Sequence, residues 1–210
     1  MPGKVIAVVQ QKGGSGKTTL AVNLAVSCVR AGHSVALLDT DPQGSLGRWF
    51  MTRRERIGEA GMEFSTSSAW GVSYECEKLK RAADIVIVDT PPKADADLRP
   101  ALREADLVLV PVASSHVDLW ATDGVLDLAA RENRPACLVL NRVRAGTRLA
   151  EDVARAAAGL TAGLAVSRLA NRVVYAETLG QGLGAEEAGR SVASDEVAAL
   201  RDEVLALLSH

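Results

Sequence analysis

Eight consecutive residues limit what this chain can become more than any other feature. Lys12-Gly13-Gly14-Ser15-Gly16-Lys17-Thr18-Thr19 follow the apolar run Val5 to Val9 and precede an Ala/Leu/Val-rich stretch with helical periodicity. The segment therefore reads as a phosphate-binding loop between a strand and a helix. Its glycines let successive backbone N–H groups point inward around a nucleotide's phosphates, and a helix starting near Gly16 adds its positive dipole end. Lys17 supplies a mobile charge to the outer phosphates, and Thr18 is placed to offer its hydroxyl to the Mg²⁺ that accompanies a triphosphate.

The loop departs from the common G-x-x-x-x-G-K-[ST] form in one respect: Gln11 stands where the first glycine is usual, and a second lysine, Lys12, lies just inside. This K-G-G-x-G-K-T-T form resembles the deviant Walker ATPases of the ParA/MinD family. The resemblance implies a P-loop NTPase fold, α/β, with a mostly parallel twisted sheet and helices on both faces. It also implies ATP and Mg²⁺ as ligands, and that Lys12 reaches across a homodimer interface to phosphates held by the partner subunit.

A length of 210 residues suits one α/β domain with a well-buried core, taken here as residues 1–210. Short β-branched runs alternate with longer amphipathic stretches, as a parallel sheet covered by helices requires. Strands are expected at Lys4 to Val9, Val35 to Asp39, Met62 to Thr66, Asp84 to Asp89, Leu107 to Pro111, Ala136 to Asn141 and Leu164 to Ser167. Helices are expected near Lys17 to Ala31, Ser45 to Ile57, Val72 to Arg81, Leu98 to Ala105, Trp120 to Arg131, Arg148 to Ala158, Val173 to Leu179 and Ser194 to Leu208, with Gly32 ending the first and Ser194 capping the last. Cys28, Cys76 and Cys137 lie far apart and read as reduced packing residues of a cytoplasmic protein. No C-x-x-C is present, which argues against an iron–sulfur carrier. The chain enters a strand almost at once and has no apolar run near the roughly 20 residues of a membrane span.

Parallel α/β sheets collect ligands at the carboxyl ends of their strands. Asp39-Thr40-Asp41-Pro42-Gln43 follows the second predicted strand and Asp89-Thr90-Pro91-Pro92 the fourth, so both should converge on the phosphate loop. Asp89 ends the run Ile85-Val86-Ile87-Val88, where a carboxylate is costly to bury without a partner, and Mg²⁺ supplies one. By resemblance Asp89 matches the Walker B aspartate, Asp41 the residue that orients the attacking water, and Asp39 a support for the Mg²⁺ shell. Asn141 and Arg142 fall where family members contact adenine. The catalytic set is thus Lys12, Lys17 and Asp41, with metal held by Thr18, Asp39 and Asp89. Slow hydrolysis rests on positioning and neutralisation of charge.

Net charge is only −2, but eight arginines lie between Arg131 and Arg172, and seven acids between Val173 and His210. Pro111 to Thr122 resembles the P-x-x-P-S-x-x-D-x-x-A-T stretch of small ParA proteins, with Ser114 in place of the second proline; His116 reads as a surface loop residue. Arg172-Val173-Val174-Tyr175-Ala176-Glu177-Thr178 resembles R-x-x-Y-x-E-A, with Thr178 replacing alanine. In that family a basic residue here binds DNA without reading sequence, so Arg172 leads the candidates, followed by Arg168, Arg148 and Arg190. Such contacts are salt-dependent.

The resemblance therefore implies an ATPase that dimerises on ATP, holds nonspecific DNA in the nucleoid and positions a cargo through hydrolysis stimulated by a partner or cargo-adaptor protein. A plasmid, a chromosome origin, a chemoreceptor cluster and a protein microcompartment are all open as cargo. One alternative is a MinD-like protein docked on a bilayer by its last helix. There Asp195, Glu196, Asp202 and Glu203 face only Arg201 in return, and an anionic membrane would repel them. Another is a small-molecule ligase or kinase on the same fold, in which Lys12 has no role.

Overall fold

The central strands form because their interiors are short runs rich in Val, Ile, Leu and Ala, the composition of a sheet buried on both faces, with charged residues only at their ends; the edge strand Glu63–Thr66 is more polar and partly exposed. The computed structural model describes residues 2–92 and 95–209. Among them β1 (Lys4–Val8), β2 (Val35–Asp39), β3 (Glu63–Thr66), β4 (Ile85–Asp89), β5 (Leu107–Ala113), β6 (Ala136–Asn141) and β7 (Gly163–Leu164) make one sheet in the order β3-β2-β4-β1-β5-β6-β7. Every pairing is parallel. The helices are α1 (Lys17–Arg30), α2 (Ser45–Ile57), α3 (Val72–Ala82), α4 (Asp95–Glu104), α5 (His116–Trp120), α6 (Asp123–Arg131), α7 (Arg148–Ala158), α8 (Val173–Gly180) and α9 (Val192–Leu208).

Successive strand residues feed opposite layers. Ile6 and Val8 join the core beneath α1, α2, α8 and α9, whereas Val5 and Ala7 join the cores beneath α3, α4, α6 and α7. The α/β class with helices on both faces is as expected. Register then sets the site: Asp89 lies opposite both Val8 and Asp39, and Asn141 opposite Ala113. The loops that follow these strands leave from one edge. With β2 and β3 on one side of β1 and β5 to β7 on the other, connections diverge above the carboxyl end of β1, where such sheets bind ligands.

Several expected boundaries move, each for a visible reason. The stretch expected as a helix from Trp120 begins earlier and is broken in two. Ser115 caps α5 by accepting from Asp118 N at 3.1 Å, and the buried Thr122 hydroxyl donates to Leu119 O at 2.6 Å where the chain turns into α6. His116, expected in a surface loop, is the half-buried first residue of α5. The last helix is capped by Ser191 and not Ser194; the two serines exchange hydrogen bonds in a reciprocal box. β7 is shorter and begins a residue earlier than expected, because Glu203 of α9 accepts from Val166 N (2.7 Å) and Ser167 N (2.9 Å). β5 runs on through Pro111 to Ala113, since pairing with β1 ends at Leu109 and proline's missing N–H is not required there.

Cys28, Cys76 and Cys137 are buried and unpaired, with burial pushing their thiols to about 12, 12 and 11. The apolar stripe of α9 is used inside the protein. Val197, Leu200 and Val204 are buried in the α1 layer and Leu208 packs against it, while Leu207 is exposed. No described helix is long and apolar enough to cross a membrane.

Candidate active site

The phosphate loop joins β1 to α1, and Gly16 caps the helix at φ 89°. A side chain at this position is excluded twice, because a β-carbon would also stand 2.3 Å from Asn141 Nδ2. Asn141, buried at the end of β6, donates to Ser15 O at 3.0 Å and accepts from Arg142 N at 2.9 Å. It braces the loop from the neighbouring strand. Gly16→Ala is expected to break this brace, weakening nucleotide binding at least about 10-fold and stability by about 1–3 kcal/mol. Titration with a fluorescent ATP analogue and a denaturant melt check both.

Lys17 is buried with its ammonium on Gln10 O at 3.1 Å; burial lowers its pKa, opposed by the charges of Asp89 and Asp41. Thr18 Oγ1 donates to Asp89 Oδ2 at 2.6 Å. Thr40 fixes Asp89 further, with its N–H and hydroxyl both donating to Asp89 O at 3.0 and 2.9 Å. Ser15 Oγ and Asp89 Oδ1 are buried with no hydrogen-bond partner among the described residues. A bare carboxylate oxygen beside a threonine hydroxyl is a hard-oxygen donor set that suits Mg²⁺, and an unsatisfied hydroxyl in the loop suits a phosphate.

Burial raises the Asp89 carboxyl to about 7; the Thr18 hydroxyl and Lys17 oppose this and Asp39 adds to it. A folded-state value above the unfolded one means that ionising Asp89 costs stability, a cost absent below 3.8 and fully developed above about 7. The nucleotide-free protein should lose stability through this group as pH rises across that window. Binding of Mg²⁺ with nucleotide requires the carboxylate, so it should release up to about one proton near pH 6 and almost none near pH 8. Calorimetry in buffers of different ionisation enthalpy measures this release.

Asp39 is placed beside the site but faces its own loop: Oδ1 accepts from Asp41 N at 3.0 Å and Oδ2 from Gly47 N at 2.9 Å. Burial raises its pKa against these bonds. Asp41 accepts from Gln43 N at 2.9 Å and is partly exposed. Gly13 and Gly14 border open space, and Thr19 opens onto a cleft of about 450 Å³. Asn141, Arg142, Asn171 and Arg172 are among the polar residues that line that cleft, and Val173, Ala176 and Leu179 among the apolar ones.

Three of the candidate arginines for a DNA surface, Arg172, Arg168 and Arg148, each have a carboxylate beside them. Arg172 is held by Glu196, with Nη2–Oε1 at 2.7 Å and Nε–Oε1 at 3.1 Å, and Glu196 also accepts from Tyr175 OH and Ala170 N. Arg168 pairs with Glu151 at 3.2 Å, and Arg148 stands 96% exposed beside Asp152 at 3.9 Å. Arg190 is exposed ahead of α9. Lys12 is paired with Asp118 of its own chain. Neither Glu196 nor Asp118 as a counter-ion was visible in the sequence, since each acts across a long chain separation.

A family model described as the CobQ/CobB/MinD/ParA nucleotide binding domain matches residues 6–175. With the phosphate loop, Asp89 and the sheet order above, the chain belongs to this family of nucleotide-binding ATPases. It is 31% identical over 215 residues to Maintenance of carboxysome distribution protein A of Halothiobacillus neapolitanus, across 95% of each chain. It is 33% identical over 167 residues to the chromosome-partitioning ATPase Soj of Thermus thermophilus, across 67% of this chain and 63% of Soj. Solved structures sharing the fold include an ATP complex of a Cyanothece McdA variant, with TM-score 0.78 and 14% identity over 96% of each chain. Another is the septum site-determining protein MinD of Pyrococcus horikoshii with Mg-ADP, with TM-score 0.80 and 18% identity over 96% of this chain and 95% of that one.

Proposed function

We propose that residues 1–210 act as one positioning ATPase of the ParA type, which dimerises around ATP, holds DNA without sequence preference and releases it on partner-stimulated hydrolysis. The observation that carries the reading is the pairing of Thr18 with Asp89 in a buried pocket that leaves one carboxylate oxygen unsatisfied. Thr18 and Asp89 would hold Mg²⁺, which would neutralise charge on the outer phosphates. Asp39 organises the loop that carries Asp41, and Asp41 orients the attacking water. Lys17 exchanges the Gln10 carbonyl for phosphate oxygens. The cleft beside Asn141 and Arg142 takes the adenine, its apolar wall lying against one face of the base.

Lys12 of each subunit completes the partner's pocket, as an arginine finger does in related phosphoryl transfer. Similarity to a protein named for carboxysome distribution, across almost the whole chain, favours a large protein assembly as cargo. The setting is cytoplasmic and nucleoid-associated. Arg172, Arg168, Arg148 and Arg190 form the DNA surface; at the first three, phosphates compete with a carboxylate already present.

Retention on nonspecific duplex DNA tests the reading. Wild type should be retained with ATP and released with ADP or no nucleotide, Asp41→Ala should stay trapped on DNA, and Arg172→Ala should dimerise yet lose DNA. Equal retention of wild type in all three states would contradict the switch.

A further inference from the structure

The dimer reading requires the Lys12 ammonium to leave its own subunit, yet the fold supplies that ammonium with a partner at home. Lys12 Nζ sits on Asp118 Oδ1. The carboxylate is anchored independently of the lysine: Ser115 Oγ bonds the other oxygen, Oδ2, and Asp118 N donates to Ser115 Oγ at 3.1 Å. The two side chains differ in freedom. Asp118 is 14% exposed and fixed on a capped helical turn, whereas Lys12 is 40% exposed on a long stem. When the pair opens, the lysine moves and the aspartate stays.

Topology makes the meeting unavoidable. β5 lies beside β1, so the loop after β1 that carries Lys12 and the short helix after β5 that carries Asp118 rise next to each other. Asp118 also borders a cleft of about 410 Å³ together with Arg142 and Arg144. Cations therefore remain near the carboxylate after the lysine has gone, which lowers the penalty for leaving it.

We propose that Asp118 is an intramolecular holder for Lys12 that keeps the free subunit out of the dimer and sets the ATP concentration at which dimers form. The proposal rests on the dimer reading above. One ammonium cannot lie on its own subunit's Asp118 and on phosphates across an interface together, so the closed pair subtracts from the competent population. Apparent affinity falls by that fraction. A mostly screened, partly buried pair of this kind accounts for about a 3- to 10-fold effect.

Two measurements on Asp118→Asn, which keeps the shape and removes the charge, test it. In nucleotide-free protein the acylation rate of Lys12, followed by peptide mass spectrometry, should rise about 3- to 10-fold, with Lys4 in the same digest unchanged. In sedimentation with Mg²⁺ and a nonhydrolysable ATP analogue, the midpoint for dimerisation should fall by a similar factor. Ser115→Ala, which removes the hydrogen bond to the carboxylate together with the α5 cap, should shift both readouts less and in the same direction, and it serves as the test should Asp118→Asn fail to fold. Unchanged acylation, or an unchanged or raised midpoint while wild type dimerises normally, overturns the holder and leaves the dimer reading intact. A wild type that stays monomeric at saturation overturns the dimer reading and the threshold with it, while the acylation arm still reports whether the pair closes.

Discussion

Lys12→Ala is expected to remain monomeric at saturating ATP and Mg²⁺ and to lose ATP turnover by about 10³-fold or more, the scale on which a cation supplied in trans acts in phosphoryl transfer. Lys17, Ser15, Thr18 and Asp89 form the pocket within one chain, and their hydrogen bonds do not pass through Lys12. Nucleotide binding by the variant should therefore stay within a few-fold of wild type. Sedimentation with a nonhydrolysable analogue separates dimerisation from binding, and a fluorescent nucleotide measures binding alone. Persistence of the ATP-dependent dimer would sink the assignment. A turnover defect without a dimerisation defect would give Lys12 a role in the chemistry alone.

Arg53→Ala should destabilise the protein by about 3–5 kcal/mol, the cost of stripping one partner from a buried ion pair. Arg53 is 4% exposed. Its guanidinium donates to Ala60 O at 2.8 Å, to Gly182 O at 3.1 Å and, through two nitrogens, to both oxygens of Glu187 at 2.8 Å, and it lies over the Trp49 ring. Burial alone would raise the Glu187 carboxyl, but the Arg53 and Gly184 hydrogen bonds outweigh it and hold the value below the usual one. Removal of the arginine takes the guanidinium donors from two carbonyls and from the Glu187 carboxylate, which keeps the Gly184 N–H. A denaturant titration of nucleotide-free protein measures the loss, and a shift under about 1 kcal/mol would show that water replaces the guanidinium. The junction is tight from the backbone side as well: Gly182 has φ +71°, and a β-carbon there would fall 2.4 Å from Arg53 N.

The position of the pocket was legible because its signals are local. A glycine loop after one apolar run and a carboxylate closing another can be read within a dozen residues each, and a parallel sheet brings strand ends together without further information. Helix α1 and its end near Gly32 were legible for the same reason. The break between α5 and α6 was not, since it depends on Thr122 turning its hydroxyl back to Leu119 once buried. The true cap of α9 was missed by three residues, because both Ser191 and Ser194 satisfy the local preference and only packing chooses between them.

Charge partners were the least legible feature. Arg172 reads from sequence as a free cation in a basic block, and in the structure it is held by Glu196, which also accepts from the Tyr175 hydroxyl. Lys12 reads as free to cross an interface and is found on Asp118, 106 residues away; Arg53 and Glu187 are 134 apart. The sequence by itself determined a phosphate loop, a carboxylate to face it and the alternation that builds a parallel sheet, because those signals lie within single strands, loops and helices. Tertiary structure alone decided which acid holds which base, since a Coulomb partner is selected by distance in space and by the water excluded around it, and neither quantity is written along the chain.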